Sequence, residues 1–298
     1  MVLKSLETFA EIASSKPKKK IAVAAAEDEQ VLQAVTEASK RGIVEPILVG
    51  DVEKINKISN EMNIDLGKCE IINEKTPANS SKICVELIRD GKAHIIMKGY
   101  VGTADYLKAI LNKEKGLRKG DLLSHIGFFE LKAYHKVIAL TDAAQNIAPT
   151  FDEKVGIIKN SIDLYHRLGI ENPKIAVIAA VETVNQKMPV TIDAANLTMM
   201  NKRKQIKGCI IDGPLAFDNA VSKEAAEHKG IESDVAGDTD LLMAPNIEVA
   251  NALYKSFTYF GGGTVAAIIL GATAPIVLTS RADTDKSKLM SIALAASF

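Results

Sequence analysis

Residues 261–279, GGGTVAAIILGATAPIVLT, carry no charged side chain over nearly the length that a bilayer span requires. How this stretch is read decides the fold. A membrane helix would have to accommodate three opening glycines, Gly271 in its middle and Pro275 near its end, and proline removes a helical hydrogen bond and clashes with the preceding turn. Two short buried strands joined by a turn satisfy the same composition. On that reading the chain is a soluble globular protein.

The remainder of the sequence repeats the same theme. Short apolar runs rich in Val, Ile and Ala are each followed by a polar or glycine-containing loop and then by a segment of helical period. KIAVAAAED leads into EQVLQAVTEASKRG, HIIMKGYVGT into ADYLKAILNKEKG, and KVIALTDAAQ into DEKVGIIKNSIDLYHRLG. KIAVIAAVET, GCIIDGP and DLLMAPN are followed in the same way. Such alternation predicts an α/β fold with mainly parallel sheets flanked by helices, and continuously apolar strands fit burial on both faces. Thr150 or Asp152 can cap the helix leading to Tyr165, and Gly169 sits where its left-handed terminus would fall.

The chain has 298 residues, of which 47% are hydrophobic and 25% charged. Single cores rarely grow past roughly 250 residues, so two lobes are expected. Thirty-seven basic and 37 acidic side chains cancel, so no global field draws the protein to nucleic acid or to an anionic membrane. Any anion site must be local. Cys69, Cys84 and Cys209 are odd in number and far apart, which excludes a disulfide framework and a cysteine-rich zinc site and suits a reducing cytoplasm. The N-terminal stretch lacks the apolar core of a signal peptide, and KPKKK at 16–20 reads as a solvated turn before a strand. The five histidines show no metal-ligand spacing, and neither a P-loop nor a dinucleotide fingerprint is present. No metal and no tightly bound cofactor are expected.

In open parallel sheets, ligands bind beyond the carboxyl ends of the strands. The loops at those ends read MKGYVGTAD (97–105), LTDAAQN (140–146), AAVETVNQK (179–187), DGPLAFDNA (212–220), APNIE (244–248) and TSRADTD (279–285). In the last, an apolar strand stops at Ser280-Arg281, and a terminal helix begins behind Asp283, Thr284 or Asp285 as its cap. A helix N-terminus favours an anion, and arginine adds a forked, permanently charged donor set suited to phosphate or carboxylate. In the first loop, Lys98, Gly99, Gly102 and Thr103, placed at the cap of the next helix, could likewise surround a phosphate. His125, beside an apolar run, is expected to be a hydrogen-bonded core or cleft-wall residue.

The segments MKGYVGTADYLKAIL, LLSHIGFFEL, DAAQNIAPTFDEK, AVETVNQKMPVTIDA, DGPLAFDNAVSKEAA, SDVAGDTDLLMAPNIEVANALYK and PIVLTSRAD, in that order, resemble the phosphate acetyltransferase and phosphate butyryltransferase family. The form of LLSH, VETVNQKM and SRAD looks more like the butyryl branch. The resemblance implies an isocitrate/isopropylmalate dehydrogenase-like architecture of two α/β lobes with the active site in the cleft between them. The first lobe would comprise residues 1–133 with 269–298, and the second 134–268. It also implies the reaction acyl-CoA + phosphate ⇌ acyl phosphate + coenzyme A, by direct thiolate attack in a ternary complex, in a cytoplasmic homo-oligomer.

On the matching positions, Arg281 would neutralise the phosphoryl group and the developing oxyanion, while Ser280 donates a hydrogen bond there. The family's proposed base falls, without gaps, on Ser287. Asp285 is the nearest carboxylate and is nominated, with Asp283 as competitor. An ordinary carboxylate, near pKa 3.9, differs from a free thiol, near 8.5, by about 6 kcal/mol, so such a base needs help from its surroundings. An arginine of the acetyl branch is replaced by Leu122, which leaves Arg118, with Lys98, Gly99, Thr103 and Ser124, as candidate phosphate and coenzyme A contacts. DGPLAFDNA and AGDTD would line or brace the cleft, with Asp212, Asp238 and Asp240 as structural caps or as ligands. Competing readings are a phosphate acetyltransferase of the same family, an NAD- and metal-dependent hydroxyacid dehydrogenase, and a non-enzymatic sensor of acyl phosphate or coenzyme A.

Overall fold

The computed structural model describes residues 2–67, 69–120, 122–279 and 283–298. In chain order the elements begin with α1 (Glu7–Ser14), β1 (Lys19–Ala24), α2 (Glu29–Lys40), β2 (Val44–Gly50), α3 (Val52–Glu61), β3 (Glu70–Asn73), α4 (Pro77–Arg89), β4 (Ile95–Lys98) and α5 (Thr103–Ile110). They continue with β5 (Ser124–Glu130), β6 (Ile138–Thr141), α6 (Phe151–Arg167), β7 (Lys174–Ile178), α7 (Pro189–Lys202), β8 (Ile210–Leu215), α8 (Phe217–Val221), α9 (Lys223–His228), β9 (Leu241–Met243) and α10 (Ile247–Tyr259). The chain closes with β10 (Thr264–Leu270), β11 (Ile276–Val277) and α11 (Asp285–Ala296). The uncharged stretch 261–279 contains the strand pair β10 and β11, antiparallel to each other. Among the described residues no helix is long and apolar enough to cross a membrane.

The chain divides into two compact units, one of Glu7–Asp121 with Ala266–Phe298 and one of Met1–Leu6 with Leu122–Val265. In the first unit the strand order is β3-β2-β1-β4-β11-β10. The pairs from β3 to β11 are parallel, so these strands end on one edge. β1 is buried from Ile21 and β2 from Pro46, as their apolar runs require. The helix α11 packs on α1 and α2 and is buried from Ser287 to Ala296. Each of its large apolar side chains, such as Met290, Ile292 and Leu294, contributes about 2 kcal/mol on leaving water.

In the second unit the order is β5-β6-β9-β7-β8, with β5 antiparallel to β6 and the others parallel. Thr150 caps α6 in a reciprocal box: its hydroxyl accepts from Glu153 N–H at 3.3 Å, and the Glu153 carboxylate accepts from Thr150 N–H at 2.7 Å. Gly169, at φ +81°, ends that helix in the left-handed conformation expected of it.

Residues 16–18 of the basic run are exposed, as in a solvated turn, yet two of its lysines are also engaged. Lys16 donates to the Ser297 carbonyl at 2.7 Å and Lys19 to that of Phe298, so two of these cations hold the end of the segment that follows α11.

Candidate active site

In the first unit the exits of β1 and β4 are fastened together at their carboxyl ends. Gly99 N–H donates to the Ala24 carbonyl at 2.8 Å, and Tyr100 N–H to that of Ala25 at 2.6 Å. The contact requires glycine: a Cβ on Gly99 would stand 2.2 Å from the Ala25 oxygen. Ala25 itself has a φ of +53°, a conformation that costs an L-residue of order 1 kcal/mol and persists only where surrounding bonds enforce it. Lys98, the last residue of β4, is only 6% exposed, and its ammonium reaches the Gly99 carbonyl at 3.3 Å. A buried cation beside this tight turn is the arrangement expected of an anion-binding strand end.

The other nominated residues of this unit are more dispersed. Thr103 is the first helical residue of α5 and Gly102 is the cap, so the placement of Thr103 at the cap is corrected by one position. Thr103 therefore stands at the positive end of α5. Arg118 is exposed, and its backbone is bridged to Ala272, ahead of β11. Asp285 opens α11 behind Thr284, whose hydroxyl accepts from Ser287 N–H at 3.2 Å. Thr284 is thus the cap among the three residues considered. Ser280 and Arg281 lie outside the described residues.

The second unit contributes a hydrogen-bonded centre at the carboxyl end of β6. Because β5 runs antiparallel, pairing Ile126 with Thr141, its first residues Ser124 and His125 reach that same edge. Asp142, 3% exposed, accepts from Ala144 and Gln145 N–H on one oxygen, both at 2.9 Å. Its other oxygen accepts from His125 N–H at 3.0 Å and from the Asn146 amide at 2.6 Å. Four donors balance the cost of burying the charge. Ser124 is fully buried, and its hydroxyl oxygen accepts from the Asn160 amide at 3.0 Å. The His125 ring packs beside Tyr254, with centroids 5.9 Å apart. Sequence reasoning quoted the loop at 140–146 without giving Asp142, Asn146 or Asn160 a role; the signal was an aspartate and an asparagine four residues apart just past a buried strand.

Asp238 lies elsewhere. Its carboxylate meets His135 at 2.9 Å, Lys136 at 2.8 Å and Lys174 at 2.7 Å. Asp240 pairs with Lys136 at 2.6 Å and accepts from Lys174 N–H at 2.8 Å. These residues precede or open β6, β7 and β9, so the network braces the amino edge, opposite Asp142. Burial pushes the Asp238 pKa up, but the hydrogen bonds from Lys136, Lys174 and His135 outweigh it and hold the carboxyl far below its usual range. Asp212 sits within β8 and accepts from the next N–H, that of Gly213, at 2.9 Å. Among the described residues no three His, Cys, Asp or Glu side chains are placed to hold a metal ion.

In this α/β protein the first unit carries a pinched glycine turn and a buried lysine at the carboxyl ends of β1 and β4, and the second a four-donor aspartate at the carboxyl end of β6, the strand ends where such sheets take their ligands. The chain belongs to the phosphate acetyl/butaryl transferase family, whose sequence model matches residues 5–86 and 74–296. It is 48% identical over 295 residues to the phosphate butyryltransferase of Clostridium acetobutylicum, covering 99% of this chain and 98% of that one. It is 42% identical over 293 residues to the phosphate acetyltransferase of Thermotoga maritima, covering 98% and 99%. Among solved structures, a branched-chain phosphotransacylase from Enterococcus faecalis V583 superposes with a TM-score of 0.81 at 33% identity, over 94% of this chain and 98% of that one.

Proposed function

We propose that the protein is an acyltransferase catalysing butanoyl-CoA + phosphate ⇌ butanoyl phosphate + coenzyme A. The observation that carries this reading is the likeness to a butyryltransferase along 99% of the chain. A preference for acetyl groups is the second reading, motivated by the acetyltransferase that is 42% identical over a similar span. One methylene is worth only about 1 to 3 kcal/mol in a pocket, so the two readings share one chemistry and differ in its last refinement.

In the proposed mechanism the coenzyme A thiol loses its proton to a carboxylate, Asp285 by nomination with Asp283 as competitor. The thiolate attacks the acyl carbonyl carbon, and the carbon–oxygen bond to phosphate breaks. Arg281 neutralises the phosphoryl group and the developing oxyanion, and Ser280 donates to the same region. Lys98, with the helix start at Gly99–Thr103, supplies further positive potential for phosphate or coenzyme A, and Arg118 adds an exposed cation. Ser124, the further nominated phosphate or coenzyme A contact, is buried and held by Asn160. Coenzyme A and phosphate serve as substrates and no tightly bound group is invoked. A cytoplasmic homo-oligomer is the proposed setting.

Release of thiol from butanoyl-, propionyl-, acetyl- and branched acyl-CoA in the presence of phosphate tests the reading. Phosphate-dependent release, fastest with butanoyl-CoA, is expected. No phosphate-dependent release from any of them would reject the enzyme reading, and fastest release from acetyl-CoA would move the assignment to the acetyl branch.

A further inference from the structure

Lys288 occupies a position that electrostatics disfavours twice. It lies in the first turn of α11, where the helix presents its positive end, and the residue is only 2% exposed. Burial pushes the pKa of its ammonium down, against the pull of Asp283, Asp28 and Asp285. The head group is nevertheless held in two directions. It donates to the Gln30 side-chain oxygen at 2.7 Å and to the Asp283 backbone carbonyl at 2.5 Å. Gln30 belongs to the first turn of α2, directly behind the Asp28 cap, and Asp283 precedes the Thr284 cap of α11. One ammonium therefore ties together the starts of two helices, each of which follows a strand of the parallel set, β1 and β11.

A cation serving stability alone would be poorly sited here. An ammonium buried here gives up its hydration, a cost that its hydrogen bonds to Gln30 and Asp283 offset only in part. The bonds to Lys288 are best understood by what they immobilise: the chain at 283–285, which carries both carboxylates nominated for the thiol proton.

We propose that Lys288 is a positioning residue of the acyl-transfer site, fixing the Asp283–Asp285 segment against α2 through Asp283 O and Gln30. This rests on the acyltransferase reading and specifies which side chain sets the geometry of that strand end. Small displacements of a reacting group are costly: about 1 Å can lower turnover roughly 100-fold. Binding energy that comes from elsewhere on a large substrate is left intact.

The test compares Lys288→Met and Gln30→Leu with the unaltered protein in the phosphate-dependent thiol-release assay, each variant also being unfolded in urea. Lys288→Met, which leaves the Gln30 and Asp283 oxygens without this donor, is expected to unfold at a somewhat lower urea concentration while staying folded under assay conditions. Its kcat should fall by about 30-fold or more while KM for butanoyl-CoA stays within about threefold. Gln30→Leu, which keeps the ammonium, should lower kcat in the same sense by about three- to tenfold. Turnover of Lys288→Met within threefold of the unaltered protein overturns the proposal, as does a loss confined to KM. Should Lys288→Met fail to fold, unchanged turnover in Gln30→Leu overturns it and reduced kcat supports it. Inactivity of the unaltered protein in the same assay rejects the acyltransferase reading itself, and this inference with it, which separates that failure from the others.

Discussion

Gly99 and Ala25 approach so closely that the glycine's missing Cβ would lie 2.2 Å from the alanine's carbonyl oxygen, with the Ala24 oxygen at 2.7 Å. Both obstructions are backbone, in a turn already bound to β4 by two hydrogen bonds. Gly99→Ala must therefore force the exits of β1 and β4 apart, costing about 2 kcal/mol by overpacking and disturbing the Lys98 ammonium next door. Urea unfolding should show the loss together with reduced turnover. A variant of normal stability and activity would mean that this contact is softer than its geometry indicates.

Asp142 leads to a second expectation, because four donors converge on its two oxygens. Asp142→Ala leaves the buried His125 N–H and three part-buried donors without an acceptor, and a loss of about 3 kcal/mol is expected. Asp142→Asn, which retains an oxygen for Ala144 and Gln145, should lose less. Equal losses in the two variants would show that the acceptor oxygens are not what holds this loop.

The brace at Asp238 carries a pH signature. Its folded pKa is depressed below the unfolded carboxylate value near 3.9, so its contribution is fully present above that value and disappears as pH falls through the folded pKa. The side chain is 44% exposed, and solvent screening limits the gain to about 1 kcal/mol. Asp238→Asn should thus be less stable than the unaltered protein at neutral pH, and the gap should close on acidification below about pH 4. A gap that widens as pH falls would contradict the assignment.

Arg281→Ala should lose about 3 kcal/mol of transition-state stabilisation with folding intact. Comparing Asp285→Asn with Asp283→Asn identifies the proton acceptor, since only the true acceptor should lower kcat strongly. Near-normal turnover in Arg281→Ala would remove the guanidinium from the mechanism.

The protein's own thiols bear on that assay, which follows coenzyme A with a disulfide reagent. Burial raises the pKa of Cys84 strongly and pushes that of Cys209 up to about 12, and Cys69, half-buried, is raised as well. A thiol reacts as its thiolate. In the native protein these three should label far more slowly than in urea, leaving a low background. Rapid native labelling of Cys84 or Cys209 would show that their surroundings open readily.

Much of the fold was legible because a strand buried on both faces writes itself as an unbroken apolar run. KIAVAA, HIIM, KVIAL, KIAVI, CII and LLM each mark a strand. β2 and β3 were not singled out: Pro46 interrupts VEPILVG, and EIIN is a four-residue edge strand whose side chains are all partly or fully exposed. Strand direction carries no periodic signal, which is why the antiparallel β5 and β10 could not be read. The same limit hid Asp142, whose partner His125 is brought to it only by the reversal of β5. Lys98 and Gly99 were visible because a strand and its loop are local in sequence.

The first unit is assembled from two stretches separated by Leu122–Val265. During synthesis the open side of β4 must wait for β11, and the α2 surface for α11, until residues 276–296 have left the ribosome. All the strands from β5 to β9 are synthesised before β11 and α11, so their pairing can start first. Truncation by even one C-terminal helix should consequently expose an apolar face on the unit that began to form earliest.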